Sequence, residues 1–435
     1  MRLRSPHTLI LTLLLVLGTS YYYFGLLLPA SHRQSNARQM ATRYAWGGDF
    51  YPIWLTGRAL FAERSNPYTP ETTRKIQIGL YGRPMDRPID PSPDYRAFSY
   101  PIYTDLLAAP LLLLGFETVR VVLSVLLFIL TVISVVVWLK VLRISLPLSI
   151  LTIFILLTLV SYPALEGLYA VQPGMFVAAT IAFSIAALAS SNYWLAGILL
   201  AVASVKPQMV WPLALFLITW SFGDWKQRKG IALGFLVTLV ALFAASWALL
   251  PAWFSGWLHA LATYSSYTQP PLLQLLLGRI LDSFLSLTLL GFIAVVCWKN
   301  IGHPVPSPEF SLCVSLVLAV TALLLPSGVA VYDQIILLPA IFWLWSRRGE
   351  ISKTTVPVRV LAVAAVVALF WQWVVACGVA VASLVSPLWA STPFVLVLPV
   401  RMAASLPFVV MALLGVFAVR MMQRAPHLPK ESPQN

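Results

Sequence analysis

Acidic side chains are scarce in this chain, and they cluster. Of fifteen Asp and Glu residues, seven fall between positions 49 and 105. The sharpest is Asp49, in "GGDFYPIWLTGRALFAERSNPYTP" (47–70). Two preceding glycines allow close backbone approach, and an amphipathic stretch follows. A carboxylate here can cap that short helix through its free amides. It can also accept a proton from a hydroxyl nucleophile at a membrane surface. The roles are compatible, since capping would also hold the carboxylate in place. Tyr51 and Arg58, on the same stretch, join Asp49 as candidate substrate contacts.

Other charged residues sit inside apolar surroundings, where an unpaired charge is costly. Asp105, in "FSYPIYTDLLAAP", is a substrate contact or helper acid, or a partner for Arg120 or Lys206. Glu166, in "PALEGLYAVQPG", is open between a solvated loop residue and a substrate contact. Lys206, in "SVKPQMVWP", needs an anion, which a phosphate, Asp105 or Glu166 would supply. Arg279, in "QLLLGRILDS", has the planar fork that suits phosphate, or pairs locally with Asp282 at an interface. Tyr332 and Asp333, in "SGVAVYDQIILLP", can meet a sugar hydroxyl, or Asp333 caps a helix. His259 is a candidate for proton handling or phosphate contact.

The elements that must position these groups are membrane helices. The 435 residues are 59% hydrophobic and 10% charged, with a mean hydropathy of +0.84. Soluble domains carry about 25% charge. Apolar runs predict an all-α polytopic protein, one integral-membrane domain over 1–435. We place about twelve spans near 8–29, 98–115, 118–139, 147–162, 173–190, 193–221, 231–250, 283–299, 309–325, 332–346, 356–378 and 395–420. The first is read as a retained helix, not a cleaved leader. Segment 193–221 is one broken helix or two short ones, because Pro207 and Pro212 interrupt it.

Basic residues at 2–4, 224–229, 346–353 and 420–430 fall on one side, which becomes cytoplasmic. Residues 421–435 form a cytoplasmic tail. Lys140 and Arg143 then fall outside, against the rule. Two segments face outward, residues 30–97 and 251–282. The first carries candidate interfacial helices at "DFYPIWLTGRALFAER" and "PETTRKIQIGLYG". Pro70 and Gly82 bracket the second.

Net charge is +14, but no basic stripe with interleaved aromatics appears, so nucleic acid is not a partner. The three cysteines lack metal-ligand spacing. Walker, Rossmann, HExxH, CxxC and Asp-x-Asp patterns are absent, and no cofactor or metal is expected.

"GGDFYPIWLTGRALF…NPYTP", "FSYPIYTDLLAAPLLLL", "VQPGMFVAATIAFSIAAL", "WLAGILLAVASVKPQMVWPLALFL", "SYTQPPLLQLLLGRI" and "YDQIILLPAIFWLW" follow one another over residues 45–345. In that order they resemble the glycosyltransferase 87 family, within the glycosyltransferase-C superfamily. The resemblance implies a glycosyltransferase-C-like bundle of about twelve helices. It implies a polyprenyl-phosphate sugar donor, such as the mannose form, and inverting transfer to a lipid or glycan hydroxyl. Transfer would occur on the outer face of a bacterial inner (plasma) membrane. The family's proposed base maps onto Asp49, its lysine onto Lys206 and its second-loop arginine onto Arg279. One departure stands out. Where the family shows Gly-Gln before the fifth span, this chain has "VQPG", so Gln172 keeps the amide but the glycine has moved.

The alternative is a multi-pass transporter or flippase of a lipid-linked or anionic substrate, with Lys206 and Asp105 as intramembrane charges. An enzyme requires Asp49 at an outer cavity beside a basic residue. A transporter requires a midplane site and related helix repeats.

Overall fold

The computed structural model describes residues 6–37, 46–85, 95–268, 270–325, 331–386 and 392–424. Among them every regular element is a helix. Helix α1 (Pro6–Ser20) continues through a π-helical turn at Tyr21–Leu27 into α2 (Leu28–Ala37). Both short helices of the first outer segment form: α3 (Tyr51–Glu63) and α4 (Pro70–Tyr81). The Thr69 hydroxyl accepts the Thr72 amide at 3.3 Å to cap α4. Gly82 ends it at φ 74°. Residues 38–45 and 86–94 of that segment lie outside the described residues.

The expected span at 98–115 is not a crossing helix. Only α5 (Tyr103–Leu112) forms, ten residues long. That length reaches about 15 Å, half of a hydrocarbon core of about 30 Å. Pro101 precedes it and Gly115 follows it. Both ends are tied to the 46–85 segment. The Tyr68 hydroxyl donates to Tyr100 O at 2.7 Å. Arg58 donates to Leu112 O at 3.2 Å, and Trp54 Nε1 to Leu114 O at 3.0 Å. Helix α6 (Phe116–Val141) therefore starts on the Asp49 side, with Phe116 and Arg120 against Gly47. Its 26 residues carry Lys140 and Arg143 to the opposite end, roughly 35–40 Å away.

Helices α7 (Leu148–Leu159) and α8 (Tyr162–Tyr169) follow, bent by 58°. Then come α9 (Pro173–Ala189), α10 (Tyr193–Ala203) and α11 (Pro207–Ser221). Segment 193–221 is thus two helices, parted at Ser204–Lys206. Helix α12 (Trp225–Leu249) packs on α10 through glycines. A Cβ on Gly234 would lie 2.6 Å from the Trp194 carbonyl oxygen, the close approach that small residues permit between membrane helices.

The second outer segment, 251–282, is mostly helical. It holds α13 (Trp253–Tyr267) and the start of α14 (Leu272–Lys299), which kinks at Gly278. Helix α15 (Pro308–Leu324) is buried on every side from Phe310 to Thr321, as a central helix that is mainly apolar all round should be. A 3₁₀ segment, Val331–Leu337, leads into α16 (Leu338–Ser346). Helices α17 (Arg348–Ile351), α18 (Val356–Val385), α19 (Pro393–Ala403) and α20 (Leu406–Arg424) complete the chain. The span expected at 395–420 is therefore divided. Of the tail, 425–435 lies outside the described residues.

Against about twelve expected spans, six helical stretches among the described residues are long and apolar enough to cross a membrane, or seven if the α7–α8 pair is one. Four more apolar helices are shorter: α9, α10, α15 and the 331–346 segment. Leu236, Val237 and Val240 of α12 are more than half exposed, an apolar surface suited to lipid.

Candidate functional site

Asp49 lies in a turn seated on the end of α8. Gly47 adopts φ 79°, a left-handed conformation that costs glycine least. The Gly47 amide donates to Tyr169 O at 2.9 Å, and the Asp49 amide to Ala170 O at 3.0 Å. Gly47 O accepts the amides of Phe50 and Tyr51 at 3.0 and 3.1 Å. The first donors of α3 are thereby satisfied by backbone. Phe50 is the N-cap residue, and no side chain caps this helix. The capping role open to Asp49 is not the one it plays.

Its carboxylate is instead held from two sides. Oδ1 is ion-paired with Arg96. Oδ2 accepts the Gln172 side-chain amide at 2.7 Å. Gln172 precedes α9, where its Oε1 accepts the Gly174 amide at 3.4 Å. The same oxygen lies 3.5 Å from Lys206 Nζ. Lys206 is the N-cap residue of α11, at φ −126° and ψ 78°. Its ammonium contacts both oxygens of Asp333, at 2.6 and 2.7 Å. It also sits 5.0 Å from the centre of the Tyr332 ring. The result is one polar chain, Arg96–Asp49–Gln172–Lys206–Asp333, drawn from five separate segments.

The displaced glycine of "VQPG" now has a physical role. A Cβ on Gly174 would run into Asp333 Oδ1 and come within 3.3 Å of Lys206 Nζ. Glycine there lets the Lys206–Asp333 pair close.

Several expectations are corrected. Lys206 takes Asp333 as its anion, not Asp105 or Glu166. Asp105 is fully buried and accepts from the Thr56 hydroxyl at 3.4 Å. Arg120, its other expected partner, pairs with Glu117 and stacks on Trp46 at 4.8 Å. The reach between helices decides this, because the short α5 stays packed under α3. Glu166 is no solvated loop residue. It lies within α8 and accepts the Tyr23 hydroxyl at 2.6 Å. Tyr23 belongs to the π-helical turn, a local irregularity often found at functional sites.

Tyr332 and Asp333 join Asp49, Gln172 and Lys206 in the site. Five other candidates do not. Tyr51 packs edge-on against Phe116, with its hydroxyl against Gly79. Arg58 ties α3 to α5. Asp105 is sealed below α3. His259 is exposed on α13. Arg279 is exposed just after the Gly278 kink, and no ion pair with Asp282 forms among the described residues; Asp282 accepts Ser286 instead.

Two members were missed in the sequence, Arg96 and Tyr100. Desolvation first, and then the Asp49 charge, push the Tyr100 hydroxyl well above its ordinary range. It stays neutral. A lone arginine at the end of the proline-rich "DPSPDYRAF", 47 residues from Asp49, was the available signal. Among the described residues no cluster of three or more His, Cys, Asp or Glu is placed to hold a metal ion.

A family model for glycosyltransferase family 87 matches residues 98–350, more than half of the chain. Gln172, Lys206, Tyr332 and Asp333 fall within the match, whereas Asp49 and Arg96 precede it. No curated protein and no solved structure matches.

Proposed function

The chain belongs to glycosyltransferase family 87 and is a membrane glycosyltransferase; from that premise we propose that Asp49 is the general base for transfer of a hexose, mannose first among them, from a polyprenyl-phosphate donor. The acceptor is a hydroxyl of a lipid or glycan. The observation that carries this reading is the doubly held Asp49 carboxylate, joined through Gln172 to the Lys206–Asp333 pair.

The chemistry follows from that arrangement. Carboxylate oxygens can each accept more than one donor, so Asp49 has capacity for an acceptor hydroxyl beside Arg96 and Gln172. The acceptor oxygen attacks the anomeric carbon as its proton passes to Asp49. The bond from that carbon to the phosphate oxygen breaks on the opposite face, inverting the centre. Polyprenyl phosphate departs as an anion, which the fixed charge of Lys206 can stabilise. Helix α13 and the 95–102 segment lie over the site and limit water. Trp257 of α13 donates to Ser99 O at 3.1 Å.

Two further features support the lipid donor and the outer face. A cleft of about 410 Å³ is walled mainly by apolar residues of α7, α16, α18 and α20 and includes Gln334, next to Asp333. It suits an apolar chain. The basic residues Lys140, Arg143, Arg228, Lys299 and Arg347 gather at the end remote from Asp49. The positive-inside rule makes that end cytoplasmic and puts Asp49 outside. The shorter course of α5 brings Lys140 and Arg143 into line with that rule. On this topology the short apolar helices complete a bundle of about twelve crossings.

The full chain in lipid nanodiscs, given a panel of polyprenyl-phosphate hexoses and short glycan acceptors, tests the reading. Transfer from a lipid-phosphate sugar, with inverted product, is expected. Transfer from a nucleotide sugar in place of the lipid donor would overturn it.

A further inference from the structure

The end of the bundle remote from Asp49 holds a polar cavity of about 690 Å³. It opens between the C-terminal ends of α14, α16 and α20 and the N-terminal end of α15. Asp333 stands near the start of the 331–346 segment, and the cavity's Trp343 and Arg347 at its other end. The helical rise separates the two sites by roughly 20 Å.

Charge in this cavity is unbalanced. Of its two carboxylates, one is ion-paired. Glu350 accepts Arg347 at 2.7 Å, and Glu309 lies 3.8 Å from His303 Nδ1. Lys299, Lys353 and Arg420 also line it, and among the described residues none of the three has a carboxylate partner. The first turn of α15, a 17-residue helix, adds its positive end through Pro308 and Glu309. Beside the polar Asn300 and Thr354, one side of the wall is apolar, formed by Leu312, Trp343, Phe417, Met421 and Met422. Three cations above an apolar wall, at the mouth of a membrane bundle, match one class of ligand. Its head is anionic and its tail is hydrocarbon.

We propose that this cavity binds the phosphodiester head group of an anionic phospholipid, with the acyl chains along Phe417 and Met421. Basic pockets between membrane helices recognise such head groups in general. The apolar wall favours a lipid over a free anion. This site is independent of the transfer reaction, so its failure would leave the reading of Asp49 intact.

The test uses the full chain in phosphatidylcholine nanodiscs containing a minor fraction of phosphatidylglycerol. Lipid retained after a mild detergent wash is counted by native mass spectrometry. Wild type should keep one phosphatidylglycerol more than Lys353→Gln/Arg420→Gln. The affinity lost should be about 25-fold, at about fivefold per cation. Lys226→Gln, a charge at the same end but outside the cavity, should retain lipid like wild type. Thermal unfolding in pure phosphatidylcholine should be the same for all three, which separates lost binding from lost folding. Equal retention by the double variant overturns the proposal. So does equal loss in Lys226→Gln, which would make the effect one of general surface charge. Displacement of the lipid by inorganic phosphate alone would also overturn it, by assigning the cavity to a free anion.

Discussion

The two ends of this bundle treat charge in opposite ways. At the Asp49 end, polar groups satisfy one another: Arg96 with Asp49, Gln172 with both Asp49 and Lys206, and Lys206 with Asp333. At the other end, Lys299, Lys353 and Arg420 line a cavity, and among the described residues none of the three is ion-paired. A closed network fixes geometry, because moving one member strands the next in a medium that punishes unpaired charge. An open cluster fixes little by itself and awaits an anion from outside. The first arrangement suits holding a catalytic group, and the second suits binding a lipid.

Removing one partner from the buried pair should give the largest effect on stability. Lys206→Met leaves Asp333 buried and unpaired, at a cost of about 3–5 kcal/mol, read as a lowered unfolding midpoint in detergent. Lys206→Met with Asp333→Leu should recover part of that loss. If Lys206→Met is as stable as wild type, the pair does not hold the site together. Gly174→Ala comes next. Its Cβ meets Asp333 Oδ1, and overpacking of this kind costs about 1–3 kcal/mol. Tolerance without any shift in unfolding would mean that the pair has room to spare.

Arg96→Gln should leave the fold largely intact and slow transfer. One charge-assisted hydrogen bond is worth about 1.5–3 kcal/mol, so a loss of about tenfold or more in kcat/KM is expected. An unchanged kcat/KM would remove Arg96 from the machinery. The smallest effect belongs to the other end. Lys353→Gln, on an exposed residue with no ion pair among the described residues, should move stability by no more than about 0.5 kcal/mol in neutral lipid. A larger loss would mean that its charge is satisfied after all, and the contrast between the ends would weaken.

Much of the framework was legible in the sequence because its signals are local. The caps of α4 lie within its own 69–82 stretch. The break at Lys206 is announced by the following proline, and the need of Lys206 for an anion by the apolar residues around it. The pairings were not legible. Lys206 and Asp333 are 127 residues apart, and Tyr23 and Glu166 are 143 apart. No periodicity encodes such meetings; they depend on how helices are ordered in the bundle. The misreading of 98–115 shows the same limit. Its hydropathy is that of a span, but Arg58, Trp54 and Tyr68 tie both ends of α5 to one layer. The capping role weighed for Asp49 failed for a related reason. Backbone carbonyls had already satisfied the amides it would have capped, so the carboxylate was left for Arg96 and Gln172.

The most direct measurement is the transfer rate of Asp49→Asn beside wild type, in nanodiscs, with a polyprenyl-phosphate hexose that wild type uses. The asparagine keeps the shape and can still accept hydrogen bonds, but it cannot take up a proton. As general base, Asp49 should account for about a hundredfold to ten-thousandfold in kcat, with the unfolding midpoint near that of wild type. Transfer at the wild-type rate by a folded Asp49→Asn protein would contradict the account.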